Sequence, residues 1–248
     1  MTGPVCYAVA DGVATLTLNR PESRNALNTA LCEALLRAAA GAAADESVRL
    51  VLVRASGPVF CAGADLKERQ GMNEDQVRAR RLKAFAAYDA LERLPMPAIA
   101  VVHGAAIGSG CEIAAACDFI VATPEASFRT PEALWGTVGA TQRLPRVLGK
   151  RLAKDLMFTG RTLSAAEALA AGLVSRVVPA ESLEAVLAEI ARTVAAAPPA
   201  ALRLAKRCID RGVELDPRGA LATELLAIEE NLAAADWRAG IAGFEGKP

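Results

Sequence analysis

Two short turns of small residues and two glutamates carry most of the chemistry this sequence could perform. The stretch Ile99 to Ala122 reads IAVVHGAAIGSGCEIAAACDFIVA. An apolar, strand-like run, Ile99 to Val102, breaks at His103-Gly104 and again at Gly108-Ser109-Gly110. Cys111 to Cys117 follows as a short apolar helix, Asp118 ends it, and Phe119 to Ala122 is a second buried strand. Glycines at such breaks let the backbone approach another group closely and adopt positive φ. Glu112 is out of character with its helix. Its carboxylate could serve the helix dipole or cap free N–H groups. Alternatively, the turn aims N–H groups at an oxyanion and Glu112 stands beside it as an acid or base. A second apolar strand stops at Cys61-Ala62-Gly63-Ala64. If the two turns converge, their N–H groups can polarise one carbonyl; apart, they are ordinary turns. Glu132, in Thr130-Pro131-Glu132 where the proline fixes the approach of the chain, reads by itself as a cap or a solvent acid.

The elements that must hold these residues follow from periodicity and punctuation. Val5 to Ala10 and Val13 to Leu18 flank Asp11-Gly12, a hairpin signal. Asn28 or Thr29 caps a helix with Leu31, Leu35 and Leu36 on one face, running out near Ala44. Leu50 to Arg54 is a short buried strand. Asn73 caps a long helix whose apolar side is Val77, Phe85, Tyr88 and Leu91, stopped by Pro95 and Pro97. A helix is expected over Lys150 to Thr159, and Ser164 with Glu167 is spaced as a capping box for another that ends at Gly172. Leu173 to Val178 is the last expected strand. From about Glu181 the chain reads as helical, with a break at Pro198-Pro199. The expectation is an α/β body over residues 1–190 and a helical region over 191–248.

Bulk properties narrow the function classes. The 248 residues carry 28 Lys plus Arg and 28 Asp plus Glu, so the whole chain has no electrostatic footprint for nucleic acid or an anionic membrane. Six cysteines, at 6, 32, 61, 111, 117 and 208, form no CxxC pair, and His103 is the only histidine, which argues against a zinc site. Packing cysteines in a reducing compartment and a soluble cytoplasmic protein are expected. No signal-peptide pattern opens the chain, and no apolar run approaches the roughly 20 residues of a membrane span. His103 and Asp118 read as structural, and Cys111 as packing. The basic run Arg78, Arg80, Arg81 and Lys83, flanked by acids and without interleaved aromatics, reads as a solvated face rather than a nucleic-acid site.

The segments FCAGADLKE, AIGSGCEIAAACDFIVA, FRTPEALWG, TQRL and GRTLSAAEALAAGLVSRVV, in this order, together with LTLNRPESRNALN near the start, resemble the crotonase (enoyl-CoA hydratase/isomerase) family over essentially the whole chain. The resemblance implies a spiral of ββα units with a helical C-terminal region that trimerises, as a homotrimer or a dimer of trimers. It implies an acyl-CoA thioester as substrate, with CoA as part of the substrate and no separate cofactor. By position, the N–H groups of Ala64 and Ser109 would hold the thioester oxygen, and Glu112 and Glu132 would be the catalytic carboxylates. Ala62, Asp65, Leu66 and Lys67 match positions around the adenine and pantetheine, and Arg24, Ala26 and Leu27 the segment flanking phosphates and pantetheine. Phe244 and Lys247 match a pair that reaches a neighbouring subunit's CoA. Hydration of a 2-enoyl-CoA uses both carboxylates, whereas double-bond isomerisation can work with one. Other acyl-CoA lyase chemistry, or a non-enzymatic CoA- or RNA-binding module, are the alternatives. Three departures stand out: Ser109 replaces the usual glycine, the loop Gly136 to Gln142 is shorter than usual, and Glu22 stands near a common lysine position.

Overall fold

The computed structural model describes residues 3–233 together with Trp237, Arg238 and Ile241. Strands β1 (Val5–Ala10) and β2 (Val13–Leu18) form the expected hairpin, with Asp11 and Gly12 both at positive φ as a two-residue turn requires. Helix α1 (Thr29–Ala44) is capped by the Asn28 side chain, which accepts from the Leu31 N–H. Strand β3 (Leu50–Ala55) leads to the one-turn helix α2 (Leu66–Arg69) and the long α3 (Glu74–Glu92), which opens on a full capping box between Asn73 and Gln76. Next come β4 (Ala98–Val102), β5 (Ala105–Ile107), α4 (Ser109–Ala115), β6 (Phe119–Ala122) and β7 (Ser127–Arg129). Then α5 (Arg143–Thr159), β8 (Leu163–Ser164), α6 (Ala165–Ala170), β9 (Arg176–Val177), α7 (Leu183–Ala196), α8 (Pro199–Gly212) and α9 (Pro217–Ala233) complete the chain.

The strands form a six-stranded sheet, ordered β1-β2-β3-β4-β6-β9, and a three-stranded one, β5-β7-β8. From β2 to β9 the large sheet is parallel. Its strands are apolar on both faces, as a sheet covered on both sides must be. Val51, Val53, Ala98, Ala100 and Val102 face α1 and α3, while Leu50, Leu52, Ile99, Val101 and Val121 face Leu183, Leu187 and Ile190 of α7. The expected boundary between residues 190 and 191 therefore falls inside a helix that belongs to the sheet. Beyond it, α8 packs on α9. Among the described residues no single helix is long and apolar enough to cross a membrane; residues 180–212 reach that size only as two helices bent by 104°.

Several expectations need correcting. Helix α5 begins at Arg143, seven residues before Lys150, and Gly149 at positive φ kinks it where the expected helix starts. The last strand shrinks from Leu173 to Val178 to two residues, because Leu173 and Val174 instead close the turn after α6 through bonds to the Ala168 carbonyl. On α3, Phe85 is exposed and Arg80 is buried, the reverse of the expected assignment. Arg80 Nε pairs with Glu68 Oε2 at 2.8 Å and its guanidinium also donates to the Leu27 carbonyl. The rest of the basic run keeps to the expected solvated face: Arg78 and Lys83 are exposed, pairing with Asp75 and Glu33, and the half-buried Arg81 donates to the Val138 carbonyl. His103 is structural, its Nε2 lying 2.7 Å from the Gly57 carbonyl, and Asp118 accepts from the Ala98 N–H and pairs with Lys206. Cys32, Cys61, Cys111 and Cys117 are free and buried.

Candidate active site

Three chain segments run side by side and set the positions of the groups proposed to act. Leu27 bridges Ala64 in parallel, donating its N–H to Gly63 and accepting from Asp65, and the Ala62 N–H donates to the Arg24 carbonyl at 3.0 Å. Cys61 bridges Ala106 in parallel, exchanging bonds of 3.1 and 2.9 Å with Ala105 and Ile107. This bridge brings the turn after Cys61 and the turn after Ile107 to the same place in the fold. Two glycines allow the approach. A β-carbon on Gly63 would sit 3.0 Å from the Ile107 carbonyl, and one on Gly110 would sit 2.5 Å from the Cys61 carbonyl. Among the described residues, the N–H groups of Ala64 and Ser109 have no hydrogen-bond acceptor. Both residues border one cavity of about 670 Å³, part of it open to solvent. Burial pushes the Tyr88 phenol well above its ordinary range, and the nearby Ser109 hydroxyl opposes that shift.

Glu112 and Glu132 meet in the same cavity. Glu112 projects from α4, 6% exposed, its Oε2 accepting from Arg143 at 2.9 Å while its buried Oε1 has no partner. Burial pushes its carboxyl above the ordinary range, opposed by Arg143 and aided by the charge of Glu92. Glu132 starts a 3-10 turn after Pro131. Its Oε2 is buried without a partner, and its Oε1 lies over Gly108, where a β-carbon would collide with it. Burial raises this carboxyl too; its own backbone N–H pulls it down, Glu112 adds to the rise and Arg81 opposes it. Two buried carboxyls with raised proton affinities and unsatisfied oxygens can hold and exchange protons around one bound group.

The residues expected around CoA form a strip beside this cavity. Ala62, Ala64 and Leu66 line it, and Lys67 is exposed at its edge. The Asp65 carboxylate caps α2 by accepting from Lys67 and Glu68 N–H groups and pairs with Arg20 at 3.1 Å. Burial raises its pKa, but these bonds outweigh that and the net shift is downward. Arg24 is exposed and Ala26 half-buried, whereas the Leu27 side chain is wholly buried and its backbone groups are engaged within the fold. Phe244 and Lys247 lie outside the described residues.

Sequence reasoning misses Arg143. Its guanidinium bridges Glu112 and Glu92, the latter at 2.5 Å, and lies 5.7 Å from the Tyr88 ring centroid. An arginine in the first turn of a helix resembles any other surface charge; only the packing of α3, α4 and α5 shows its role.

A parallel sheet wound with helices in ββα turns, followed by a helical C-terminal region, places the chain in the crotonase class of fold. Residues 8–248 match the family described as Enoyl-CoA hydratase/isomerase, and the chain belongs to that family. It is 40% identical over 245 residues to "Enoyl-CoA hydratase domain-containing protein 2, mitochondrial" of Bos taurus, covering 95% of this chain and 82% of that protein. It is 36% identical over 256 residues to "Enoyl-CoA isomerase/hydratase fer4" of Mycosarcoma maydis, covering 98% and 93%. The crystal structure of enoyl-CoA hydratase from Bacillus anthracis superposes with a TM-score of 0.94 at 38% identity, covering 98% of this chain and 96% of that one.

Proposed function

We propose that the chain hydrates 2-enoyl-CoA thioesters to 3-hydroxyacyl-CoA. The thioester oxygen sits between the N–H groups of Ala64 and Ser109. Glu112 orients a water and takes its proton as the hydroxyl adds to C3. The electron pair of the C=C bond moves into the thioester as an enolate, whose negative oxygen the two N–H groups stabilise. Glu132 then delivers a proton to C2, so that one water is added across the double bond. One oxyanion donor contributes on the order of 3 kcal/mol and each positioned proton carrier about 10²–10⁴-fold. Because the two carboxyls share a site, they titrate as a pair. The chemistry draws on the chain and the CoA thioester alone.

One observation carries the reading: both carboxyls keep a buried, unpartnered oxygen at the cavity that the two free amides border. Isomerisation, which shuttles a proton between C2 and C4, needs only one of them. The test is turnover of 2-enoyl- and 3-enoyl-CoA by the wild type, Glu112→Gln and Glu132→Gln. Each variant is expected to lose about 10²–10⁴-fold in kcat while still binding the thioester. Undiminished hydration in either variant ends the assignment, and a wild type that converts 3-enoyl-CoA without any hydrated product points to the isomerase.

A further inference from the structure

The cavity wall opposite α4 carries more positive charge than the fold requires. Arg69 on α2 and Arg80 and Arg81 on α3 all line it. Arg80 is matched by Glu68. Arg81 makes one bond, to the Val138 carbonyl, and pairs with no carboxylate among the described residues. Arg69 has no side-chain partner among the described residues. Its half-buried guanidinium is shifted downward by burial and by the charges of Arg81 and Arg80, with no acid opposing them. The acids at this cavity are the catalytic candidates, and Glu112 is already held by Arg143. Like charges gathered in a partly dry site are unfavourable unless something anionic completes them.

The position of Arg81 indicates which anion. Its Nη2 and the Glu132 Oε1 lie 3.6 Å and 3.4 Å from one point, the place a β-carbon on Gly139 would take. Arg81 is therefore a neighbour of the proton carriers. The pyrophosphate of CoA, a whole pantetheine arm away from the thioester, belongs at the other end of the molecule. An anion beside Arg81 and Arg69 has to lie on the acyl side of the reacting carbons. Phe85 and Trp135 supply apolar wall around the same space, suited to the carbons between. Resting on the hydratase reading above, we propose that the preferred acyl group ends in a carboxylate, and that Arg69 and Arg81 receive it: the substrate is the mono-CoA thioester of a short dicarboxylic 2-enoic acid.

Binding separates this inference from the reaction. Calorimetry with glutaryl-CoA, its uncharged five-carbon counterpart valeryl-CoA and free CoA measures recognition without turnover. Glutaryl-CoA is expected to bind at least about tenfold more tightly than valeryl-CoA, the ratio one charge-assisted hydrogen bond supplies. That ratio should collapse toward one in the double variant Arg69→Met, Arg81→Met, with thermal unfolding checking that the variant folds. Equal affinities in the wild type overturn the proposal. So does an unchanged ratio in the variant with both thioesters and free CoA weakened together, which would place the arginines at the CoA phosphates. A wild type that prefers glutaryl-CoA yet hydrates neither glutaconyl-CoA nor 2-pentenoyl-CoA supports the carboxylate site and removes the hydratase reading instead.

Discussion

In the proposed mechanism, Arg143 is the group that suits Glu112 to the role of base. Its guanidinium holds Glu112 Oε2 at 2.9 Å and is itself held by Glu92, and it opposes the upward shift that burial imposes on Glu112. Glu132 has no cation bonded to it, and burial raises its carboxyl against a weaker pull from Arg81, which suits the acid role proposed for it. Arg143→Met removes the charge that lowers the Glu112 pKa, so the acidic limb of the kcat/KM pH profile is expected to move to higher pH, with kcat down by about tenfold or more. A limb that stays in place would show that Arg143 merely packs. Burial of Glu132 makes a second prediction. Its folded-state pKa is raised, so the native state binds that proton more tightly than the unfolded chain does. Stability from this group is full below the unfolded value of about 4.3 and is lost as pH rises through the folded value. Glu132→Gln cannot ionise. Its Tm relative to wild type should therefore climb between pH 5 and 8, even though activity is lost. A difference independent of pH would argue that the carboxyl is solvated. Glu112 stands out in the sequence as a carboxylate in an apolar helix, whereas Glu132 by itself reads as a cap or solvent acid and is singled out only by the family resemblance. Arg143 does not stand out, because its partners come from helices distant in sequence.

Two neighbouring glycines test how the elements set the site. Gly110 packs α4 against the Cys61 backbone, and a β-carbon there meets a carbonyl at 2.5 Å that neither strand pairing nor helix can move. Gly110→Ala should separate the two segments and cost several kcal/mol, measured as a large fall in denaturant midpoint. Gly108 has positive φ, but its β-carbon meets the end of the Glu132 side chain, which can swing away. Gly108→Ala should cost upward of about 1 kcal/mol, because φ 50° with ψ −106° is a conformation L side chains rarely adopt, and should also reduce kcat severely, because Glu132 is displaced. Equal losses in both measures for the two variants would contradict this division. Elements with local signals are legible in the residues themselves: the Asp11-Gly12 hairpin, and the caps at Asn28, Asn73 and Ser164. What escapes is decided by tertiary contact. Periodicity alone puts Phe85 inside and Arg80 outside on α3, because it cannot see that Glu68 and the Leu27 carbonyl wait for a guanidinium. The juxtaposition of residues 64 and 109 likewise depends on a bridge between chain segments 45 residues apart, Cys61 and Ala106.

At the scale of the whole molecule, α8 and α9 present an apolar face that nothing among the described residues covers. Ile209, Val213 and Leu226 are 66%, 76% and 71% exposed, and a groove lined by Leu204, Cys208, Ile209, Leu221 and Ile228 runs between the helices. A continuous apolar surface of this kind on a helical appendage marks an association site. The sheet does not need it, since α7 already covers the second face. A second copy of the chain is the expected occupant, and the family resemblance makes the closed form a ring of three. Leu226→Glu places a charge on that face without touching the sheet or the cavity. Light scattering should then report a wild-type mass of three or six chains and a smaller one for the variant, with α-helical content retained. The resemblance also assigns Phe244 and Lys247 to a neighbour's CoA. Dissociation should therefore raise KM for the thioester more than it lowers kcat, because both glutamates and both amides belong to one chain. A wild type of single-chain mass with full activity would assign the apolar face to another partner and remove any contribution of a neighbour to the site.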